Sequence, residues 1–434
     1  MFASRRKEPP PSAHPFNRFW DIAINCTYCY VFNKGDDAYM SHPPLMSLDT
    51  ARKLGRFLAE SAVSLGTRRV QVDFHGGEPL LMKPDRFVEV CEILTEEIRP
   101  SADIKFCLQT NAMLVNDRWI DCFEQFQVSV GVSLDGTERI NDSTRLDHDG
   151  TGTYARTVSG LRQLQAAMRD GRIPSVGILA VVDAMASGAE ALRHFVQDLG
   201  VFNLDFLLPI DSHDSFDQRL LPGLSRYLCE VYDEWVRIDD PVVNIRILRG
   251  TRSFFWVGRE VTAATRRQPK SPNTIITVAS DGSLGPDDSV RTTCLPLFAT
   301  HNIDSTTILE FLEAPEQKAL AESEWMLADA CHGCCWKNLC KGGAAHGRLI
   351  NRFSRVNGFN NRSILCEALM AFYAHVAASE LKRGLRFSDL RDSLIDNDAS
   401  FGNYDRDCFF AGKSKPPMTV QFSKPMTTRE ALKS

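Results

Sequence analysis

The sequence lacks long apolar runs and carries little net charge. Its apolar stretches fall well short of the ~20 residues that a membrane-spanning helix needs. Its 434 residues carry a formal net charge of −5, which is too small for the strong field that binding to nucleic acid or anionic membranes exploits. We therefore expect neither nucleic acid nor a membrane as a partner.

The N-terminal segment lacks the features of a secretory signal. The stretch MFASRRKEPPPSAHP is basic and rich in proline, and it has no apolar segment. Thirteen cysteines would suggest disulfides in a small secreted domain, but this chain is large. We expect a cytoplasmic protein in which residues 1–18 form a disordered arm.

Five of the 13 cysteines lie between Cys331 and Cys366, in glycine-rich surroundings. Such clustering favours metal ligation. The spacing Cys331-x2-Cys334-x5-Cys340, completed by Cys366, supplies four thiolates. Four thiolates suit tetrahedral zinc as well as a [4Fe–4S] cluster, so the spacing leaves both metals open.

Residues 19–250 alternate short β-rich runs with helical periodicity, and the chain has no internal repeat. The stretch RRVQVDF predicts a strand, and the amphipathic stretch before it predicts a helix with Ser47 as its N-cap. Alternation of this kind implies parallel strands joined by right-handed crossovers. The first 18 residues aside, we take residues 19–250 as one α/β domain.

Polar and glycine-rich motifs follow three of the predicted strands. They are HGGEP at residues 75–79, Thr110-Asn111, and SLDG at residues 133–136. Ligands bind at the carboxyl ends of parallel strands, so we expect these motifs to converge on one site.

The sequence changes character after residue 250. Residues 251–385 are rich in turns and cysteines, and the stretch SPNTIITVASDGSLGPDD predicts a hairpin at the entrance of this second module. Residues 386–434 are polar with several prolines, so we expect a partly disordered tail.

Taken in order, the motifs resemble the radical S-adenosylmethionine enzymes that carry a SPASM-type module, in particular FxsB-like enzymes that mature ribosomally made peptides by cross-linking side chains. The resemblance spans residues 19–382. It rests on the following stretches: CTYCYVFNKGDD, VDFHGGEPLL, LQTNA, GVSLDGTERINDSTRL, LDFLLP, SDGSLGPDD and CHGCCWKNLCKGG with the later GFNNRSILC. It implies a partial (β/α)6 TIM-like barrel followed by a cysteine-rich SPASM-type module.

The resemblance also implies the cofactors. A [4Fe–4S] cluster on three thiolates leaves one iron for S-adenosylmethionine, and cleavage of the bound cofactor gives a 5′-deoxyadenosyl radical. Cys26 and Cys29 would ligate this cluster. The implied cofactor-binding residues are Tyr28, Gly76, Gly77, Glu78, Pro79, Asn111, Ser133, Arg145 and Leu208.

Individual roles follow from the same resemblance. Tyr28 would lie near the adenine, and Ser133 would contact the ribose. The Gly-Gly-Glu-Pro turn would hold the methionine ammonium, through the Glu78 carboxylate or through backbone carbonyls. Arg145 would bind the methionine carboxylate, for which a planar guanidinium is suited.

The second module is implied to hold an auxiliary [4Fe–4S] cluster on Cys331, Cys334, Cys340 and Cys366. The implied partners are a precursor peptide or protein substrate and an electron donor. Asp281, in VASDGS, is the candidate acid facing the substrate, although Asp-Gly is also a common β-turn sequence.

The first loop departs from the family's C-x3-C-x2-C pattern, because position 22 is Ile. Three explanations are open. The chain is a degenerate member that binds a precursor peptide or partner without radical chemistry, or the cluster takes its third ligand from water, Asp21 or a distant thiol, or the N-terminal segment is divergent. Turnover as an enzyme is therefore in question, whereas the other cofactor-binding motifs are in place.

Overall fold

The computed structural model describes residues 24–31, 33–34, 42–256, 275–293, 295, 297–298, 300–343, 347, 349–395 and 418–422. The predicted arm and residues 19–23, which include Asp21 and Ile22, lie outside these residues. No described helix combines the length and apolar character that crossing a bilayer requires.

The described strands form one ten-stranded sheet with the spatial order β6-β5-β4-β3-β2-β1-β10-β7-β8-β9. Neighbours from β6 to β7 in this order are parallel, whereas β7, β8 and β9 pair antiparallel. The strands are β1 (Arg69–Phe74), β2 (Asp103–Thr110), β3 (Ser129–Ser133), β4 (Val176–Val181), β5 (Asn203–Leu207), β6 (Asn244–Ile245), β7 (Ile275–Val278), β8 (Ser283–Gly285), β9 (His301–Asn302) and β10 (Met418–Phe422).

Helices alternate with the first six strands and continue into the second module. They are α1 (Leu48–Leu65), α2 (Pro84–Ile98), α3 (Asp117–Gln125), α4 (Glu138–Asn141), α5 (Tyr154–Arg169), α6 (Gly188–Arg193), α7 (Leu221–Ile238), α8 (Arg246–Trp256), α9 (Ile308–Glu313), α10 (Pro315–Trp325), α11 (Lys337–Cys340), α12 (Cys366–Lys382) and α13 (Phe387–Ile395).

Helix α1 has the bounds that its sequence predicts. The Ser47 hydroxyl accepts a hydrogen bond from the Thr50 backbone N at 2.9 Å, which satisfies one free N–H of the first turn. Gly66 ends the helix with φ of 59°, a left-handed conformation that glycine adopts without a Cβ penalty. Leu54 and Leu58 are fully buried against the sheet and α2.

The barrel strands bury one face and expose the other to a cavity. In β1, Val72 and Phe74 are buried, and the Phe74 ring lies 4.8 Å from that of Phe87 on α2. The alternate residues Gln71 and Asp73 line the cavity. This period of two explains why the strands are not continuous apolar runs, and it positions polar groups inside the partial barrel.

The second module docks on the barrel through α12, which packs against α7 and α8. Glu380 of α12 is fully buried and accepts a hydrogen bond from the Tyr232 hydroxyl at 2.5 Å. Arg252 of α8 places Nε 3.1 Å from the same carboxylate. The carboxylate therefore joins three helices, and α8 crosses the boundary at residue 250.

The predicted fold class is confirmed: a partial barrel of six parallel strands precedes a cysteine-rich module that begins with the predicted hairpin, β7 and β8. The tail also contributes ordered elements. Residues Phe387–Ile395 are helical, and Met418–Phe422 form a strand inside the sheet, between β1 and β7.

Candidate functional site

A cavity of about 1530 Å³ lies at the carboxyl ends of β1 to β5. Most of the residues that the motifs single out line it, and so do both cysteines of the first loop. From the predicted set these are Cys26, Tyr28, Cys29, Gly76, Gly77, Glu78, Asn111, Ser133, Arg145 and Leu208. The strand-end motifs therefore converge as expected.

The loop that carries Cys26 and Cys29 is fixed by backbone hydrogen bonds. The Asn25 N donates to the Leu146 carbonyl at 2.8 Å, and the Thr27 N donates to the Thr144 carbonyl at 3.1 Å. Burial raises the pKa of the Cys26 thiol to about 11. A metal bound at this thiol would offset that penalty, because metal coordination deprotonates thiols.

Glu78 organises the turn after β1. Its Oε1 accepts hydrogen bonds from the Thr110 hydroxyl at 2.6 Å and the Leu80 N at 3.0 Å, and its Oε2 accepts one from the Asn111 N at 2.8 Å. Burial raises the pKa of Glu78 despite these donors. Three of the carboxylate's acceptor positions are thus engaged within the protein.

The turn itself needs glycine. Gly76 has φ of 121°, which L side chains rarely adopt. Because the Glu78 carboxylate already accepts three protein hydrogen bonds, the backbone carbonyls of this turn are the better candidates for binding an ammonium group.

Arg145 also lines the cavity and is almost fully buried. Its Nη1 donates to the Tyr28 hydroxyl at 2.8 Å, and that hydroxyl donates to Asp135 Oδ2 at 2.5 Å. Burial alone would lower the pKa of Arg145, but Tyr28, Cys26 and Asp135 together raise it, so the guanidinium is charged. Its Nε is buried and has no hydrogen-bond partner among the described residues.

A third cluster of polar side chains joins the cysteine loop to the second module. The Tyr30 hydroxyl lies 2.7 Å from Nε2 of His75 and donates to Asp288 Oδ2 at 3.0 Å. His75 Nε2 is 3.6 Å from the same Asp288 oxygen. Burial raises the pKa of Asp288, and all three residues line the cavity.

Asp281, the predicted substrate-facing acid, is not among the residues that line the cavity. It sits in the turn between β7 and β8, where its Oδ1 accepts a hydrogen bond from the Ser283 N at 2.9 Å and its Oδ2 lies 3.0 Å from His42 Nδ1. These contacts in the turn explain why an aspartate occupies position 281. Asp287 and Asp288, six and seven residues later, are the carboxylates after this hairpin that line the cavity.

Two other predicted residues are placed differently from their expected roles. Pro79 is buried at the start of a 3-10 turn (Pro79–Leu81) and does not line the cavity. Asn111 lines it, but its Oδ1 accepts a hydrogen bond from the Met113 N at 2.9 Å, so this oxygen shapes the turn after β2.

The sequence reading did not single out Asp135, Tyr30 or Asp288. Asp135 lies in SLDG and Asp288 in GPDD, and both stretches contributed to the resemblance. A sequence signal for the two aspartates did exist, because each is a charged residue shortly after a predicted strand or hairpin. Burying such a residue costs free energy, so its burial indicates a functional role.

In the second module, Cys366 begins α12, and the charges of Cys331 and Cys334 add to the effect of burial in raising the pKa of its thiol. Cys340 ends α11. Among the described residues, no three His, Cys, Asp or Glu side chains already stand in an arrangement that would hold a metal ion.

Part of this chain matches a known protein family. Residues 23–184 match the model of the Radical SAM superfamily. Residues 23–184 form a radical SAM domain. The cofactors of this family are S-adenosylmethionine and [4Fe–4S] clusters, as the sequence predicted.

The relatives of this chain include two named enzymes. It is 24% identical over 377 residues to the serine-type anaerobic sulfatase-maturating enzyme of Bacteroides thetaiotaomicron, an alignment that covers 82% of this chain and 86% of that protein. It is 25% identical over 358 residues to the cysteine-type anaerobic sulfatase-maturating enzyme of Clostridium novyi, covering 81% and 91%.

Solved structures share the fold. A structure of anSMEcpe with bound AdoMet and Cp18Cys peptide superposes with a TM-score of 0.67 at 20% identity, covering 83% of this chain and 94% of that chain. The structure of the same protein with AdoMet alone gives a TM-score of 0.67.

The two family cofactors fit the radical SAM domain unequally. For S-adenosylmethionine, the buried Arg145 with its unpartnered Nε offers a site for a carboxylate. For the cluster, the described part of the loop supplies only the thiols of Cys26 and Cys29, and Ile22 lies outside it. We therefore derive no reaction step through a cluster at this loop.

Proposed function

We propose that the chain binds S-adenosylmethionine in the cavity and modifies a side chain of a ribosomally made peptide or of a protein by hydrogen-atom abstraction, with a cross-link between side chains as the product. One observation carries the proposal. The charged, buried guanidinium of Arg145, whose Nε lacks a partner in the described structure, faces the same cavity as Cys29, the Gly76-Gly77 turn and Ser133.

The size of the cavity supports a peptide substrate. Typical small-molecule sites measure roughly 300–1,000 Å³, whereas this cavity measures about 1530 Å³. A nucleotide cofactor would leave space for several residues of a peptide. The named relatives mature sulfatases, which are proteins, and a neighbouring structure holds a peptide.

Each end of the cofactor has a partner in this chain. Arg145 binds the methionine carboxylate through the donor that has no protein partner. The carbonyls of the Gly76-Gly77 turn accept from the ammonium, and Glu78 holds that turn in place. Ser133, whose hydroxyl accepts from Gln109 at 2.7 Å, presents its own hydroxyl proton to the ribose.

If a third ligand completes the loop cluster, bound S-adenosylmethionine and the clusters would supply the hydrogen-abstracting radical and the electron transfers. Forming a cross-link removes a second hydrogen from the substrate as a proton and an electron. Among the carboxylates that line the cavity, we assign this proton to Asp288, because it is buried and contacts both Tyr30 and His75. We propose Asp288 in the role that the sequence assigned to Asp281.

The auxiliary site completes the proposed enzyme. Cys331, Cys334, Cys340 and Cys366 would hold a [4Fe–4S] cluster in the second module, with zinc as the competing metal. The proposed organisation keeps the predicted ranges: the radical SAM barrel at 19–250, the SPASM-type module at 251–385, and a tail from 386.

A second candidate is a protein of the same fold that binds a precursor peptide or partner without turnover. The observation that favours it is Ile22, at the position of the first cluster cysteine. The two candidates differ in one product. Anaerobically reconstituted protein with S-adenosylmethionine and dithionite should release 5′-deoxyadenosine if the first is correct, and none if the second is correct.

Iron analysis gives an independent measure. About eight irons per chain would support two clusters, about four would support the non-catalytic candidate, and zinc without iron would contradict both assignments of the cysteines. Ile22→Cys should raise both iron content and cofactor cleavage. Ala23→Cys adds a thiol with the wrong spacing and should raise neither, and an unchanged Ile22→Cys would show that position 22 is not the vacant ligand site.

The bond formed is tested with a peptide encoded next to the gene. A cross-link removes two hydrogens and suppresses mass-spectrometric fragments between the linked residues. A product that instead fragments normally and reacts with a hydrazide would contain a carbonyl group. That result would indicate side-chain oxidation and contradict cross-linking.

A further inference from the structure

The strand β10 occupies an interior position of the sheet although it lies near the end of the sequence. Met418–Phe422 pair in parallel with β1 on one side, and Thr419–Phe422 pair with β7 on the other. Among the described strands, β10 is the element that joins the barrel strands to those of the second module. Both of its backbone edges are thus in use.

The strand β1 leads to one half of a polar cluster, and the hairpin of β7 and β8 leads to the other half. Phe74 ends β1 and is followed by His75, whereas Val278 ends β7, upstream of Asp288. Phe74 and Val278 are both in register with Phe422. Two strand spacings therefore separate them, roughly 9–10 Å.

That separation matters because the side chain after β1 meets a side chain that follows the hairpin of β7 and β8. His75 Nε2 lies 3.6 Å from Asp288 Oδ2, and the Tyr30 hydroxyl contacts both residues. A sheet without β10 would leave backbone N–H and C=O groups of β1 and β7 unpaired. Collapse or widening of the gap would change the distance between His75 and Asp288.

We propose that Met418–Phe422 is a positioning strand, which binds between β1 and β7 and fixes the Gly76-Gly77 turn against the Asp288 segment. The gap between β1 and β7 accepts an extended peptide segment that pairs in parallel with both strands. The end of the chain thereby controls the assembly of the cavity, independently of the reaction that takes place there.

Hydrogen exchange on the full chain tests the proposal. In the wild-type protein, amides of Met418–Phe422 should be protected to a similar degree as those of β1 and β7. Val420→Pro removes one ladder donor and should speed exchange in β1, β7 and at Gly76-Gly77 by at least about tenfold. Val420→Ala keeps the donor and should preserve protection.

The effect should be local. Strands β4 and β5 lie on the far side of β1 and should keep their protection in Val420→Pro. Exchange at Met418–Phe422 as fast as in an unstructured peptide, in the wild-type chain, would overturn the proposal. Equal loss of protection in every strand of Val420→Pro would also overturn it, since the strand would then support the whole fold rather than the site.

A cross-linking pair tests the register without relying on a proline variant. Gln71 is paired with Thr419, and neighbouring Cα atoms in adjacent strands are close enough for a disulfide. Gln71→Cys with Thr419→Cys should form the link under mild oxidation, as shown by peptide mapping. Gln71→Cys with Val420→Cys places the thiols on opposite faces and should not; equal yields from both pairs would contradict the placement.

Discussion

Glu78 Oε2 accepts a hydrogen bond from the Asn111 backbone N at 2.8 Å, and this contact joins the ends of two neighbouring strands. The other oxygen accepts from Thr110 and Leu80. A carboxylate can accept on both sides, whereas an amide offers one oxygen and one NH2 group. The acidic residue of the HGGEP motif thus holds the Gly76-Gly77 turn in this structure.

Glu78→Gln should destabilise the fold by about 1–3 kcal/mol, because an NH2 group would face an N–H or hydroxyl donor in a buried site. Thermal or urea unfolding measures the loss. Glu89→Gln is the matched control: Glu89 is half exposed and pairs with Arg86 on the surface, so its change should be small. Equal stability of Glu78→Gln and wild type would show that the carboxylate is not needed for the turn.

Arg145→Lys should weaken S-adenosylmethionine binding by roughly 1.5–3 kcal/mol, or about 10- to 150-fold, because an ammonium cannot replace the planar fork of donors. Equilibrium binding to anaerobically reconstituted protein measures the affinity. Arg156→Lys is the control, since Arg156 pairs with Asp147 near the surface. Affinity retained in Arg145→Lys would remove Arg145 from the cofactor site.

Asp288→Asn should change the pH dependence of stability. Burial raises the folded-state pKa of Asp288 above its ordinary value of 3.8. The neutral carboxyl therefore stabilises the fold below that ordinary value, and this contribution is lost as the pH rises through the folded-state pKa.

Asparagine has no such loss, so the melting temperature of Asp288→Asn relative to wild type should increase as the pH rises through that window. Melting curves from acid to neutral pH measure the difference. A pH-independent difference for Asp288→Asn would show that burial does not raise the pKa of this carboxyl.

Cys366→Ser should remove about four irons per chain if the second module holds a [4Fe–4S] cluster. Cys335→Ser should leave iron unchanged, because Cys335 is the exposed neighbour of Cys334 and is not a proposed ligand. Iron and zinc are both measured by elemental analysis. Loss of zinc rather than iron in Cys366→Ser would assign the site to zinc.

Local rules predicted much of the barrel from the sequence. The cap at Ser47, the strand of β1 and the hairpin of β7 and β8 each follow from patterns that lie within a few residues. The convergence of Gly76-Gly77, Ser133 and Arg145 also follows, because parallel strands bring their carboxyl ends to one edge.

What sequence reasoning missed depends on distant partners. Strand β10 has only five residues within a polar, proline-containing tail, and its position comes from two strands far away in the chain. Asp288 follows a hairpin, and only its contacts with Tyr30 and His75 in the folded chain distinguish it from an ordinary loop residue. No local period encodes either contact.

The hydrogen bonds that tie Asn25 and Thr27 to the carbonyls of Leu146 and Thr144 flank Arg145 in the chain. We therefore expect a change in the backbone around Cys26 and Cys29 to alter the position of the Arg145 guanidinium. The affinity for S-adenosylmethionine should consequently depend on the metal bound at the cysteine loop. Removing that metal with a chelator should weaken cofactor binding before it unfolds the barrel.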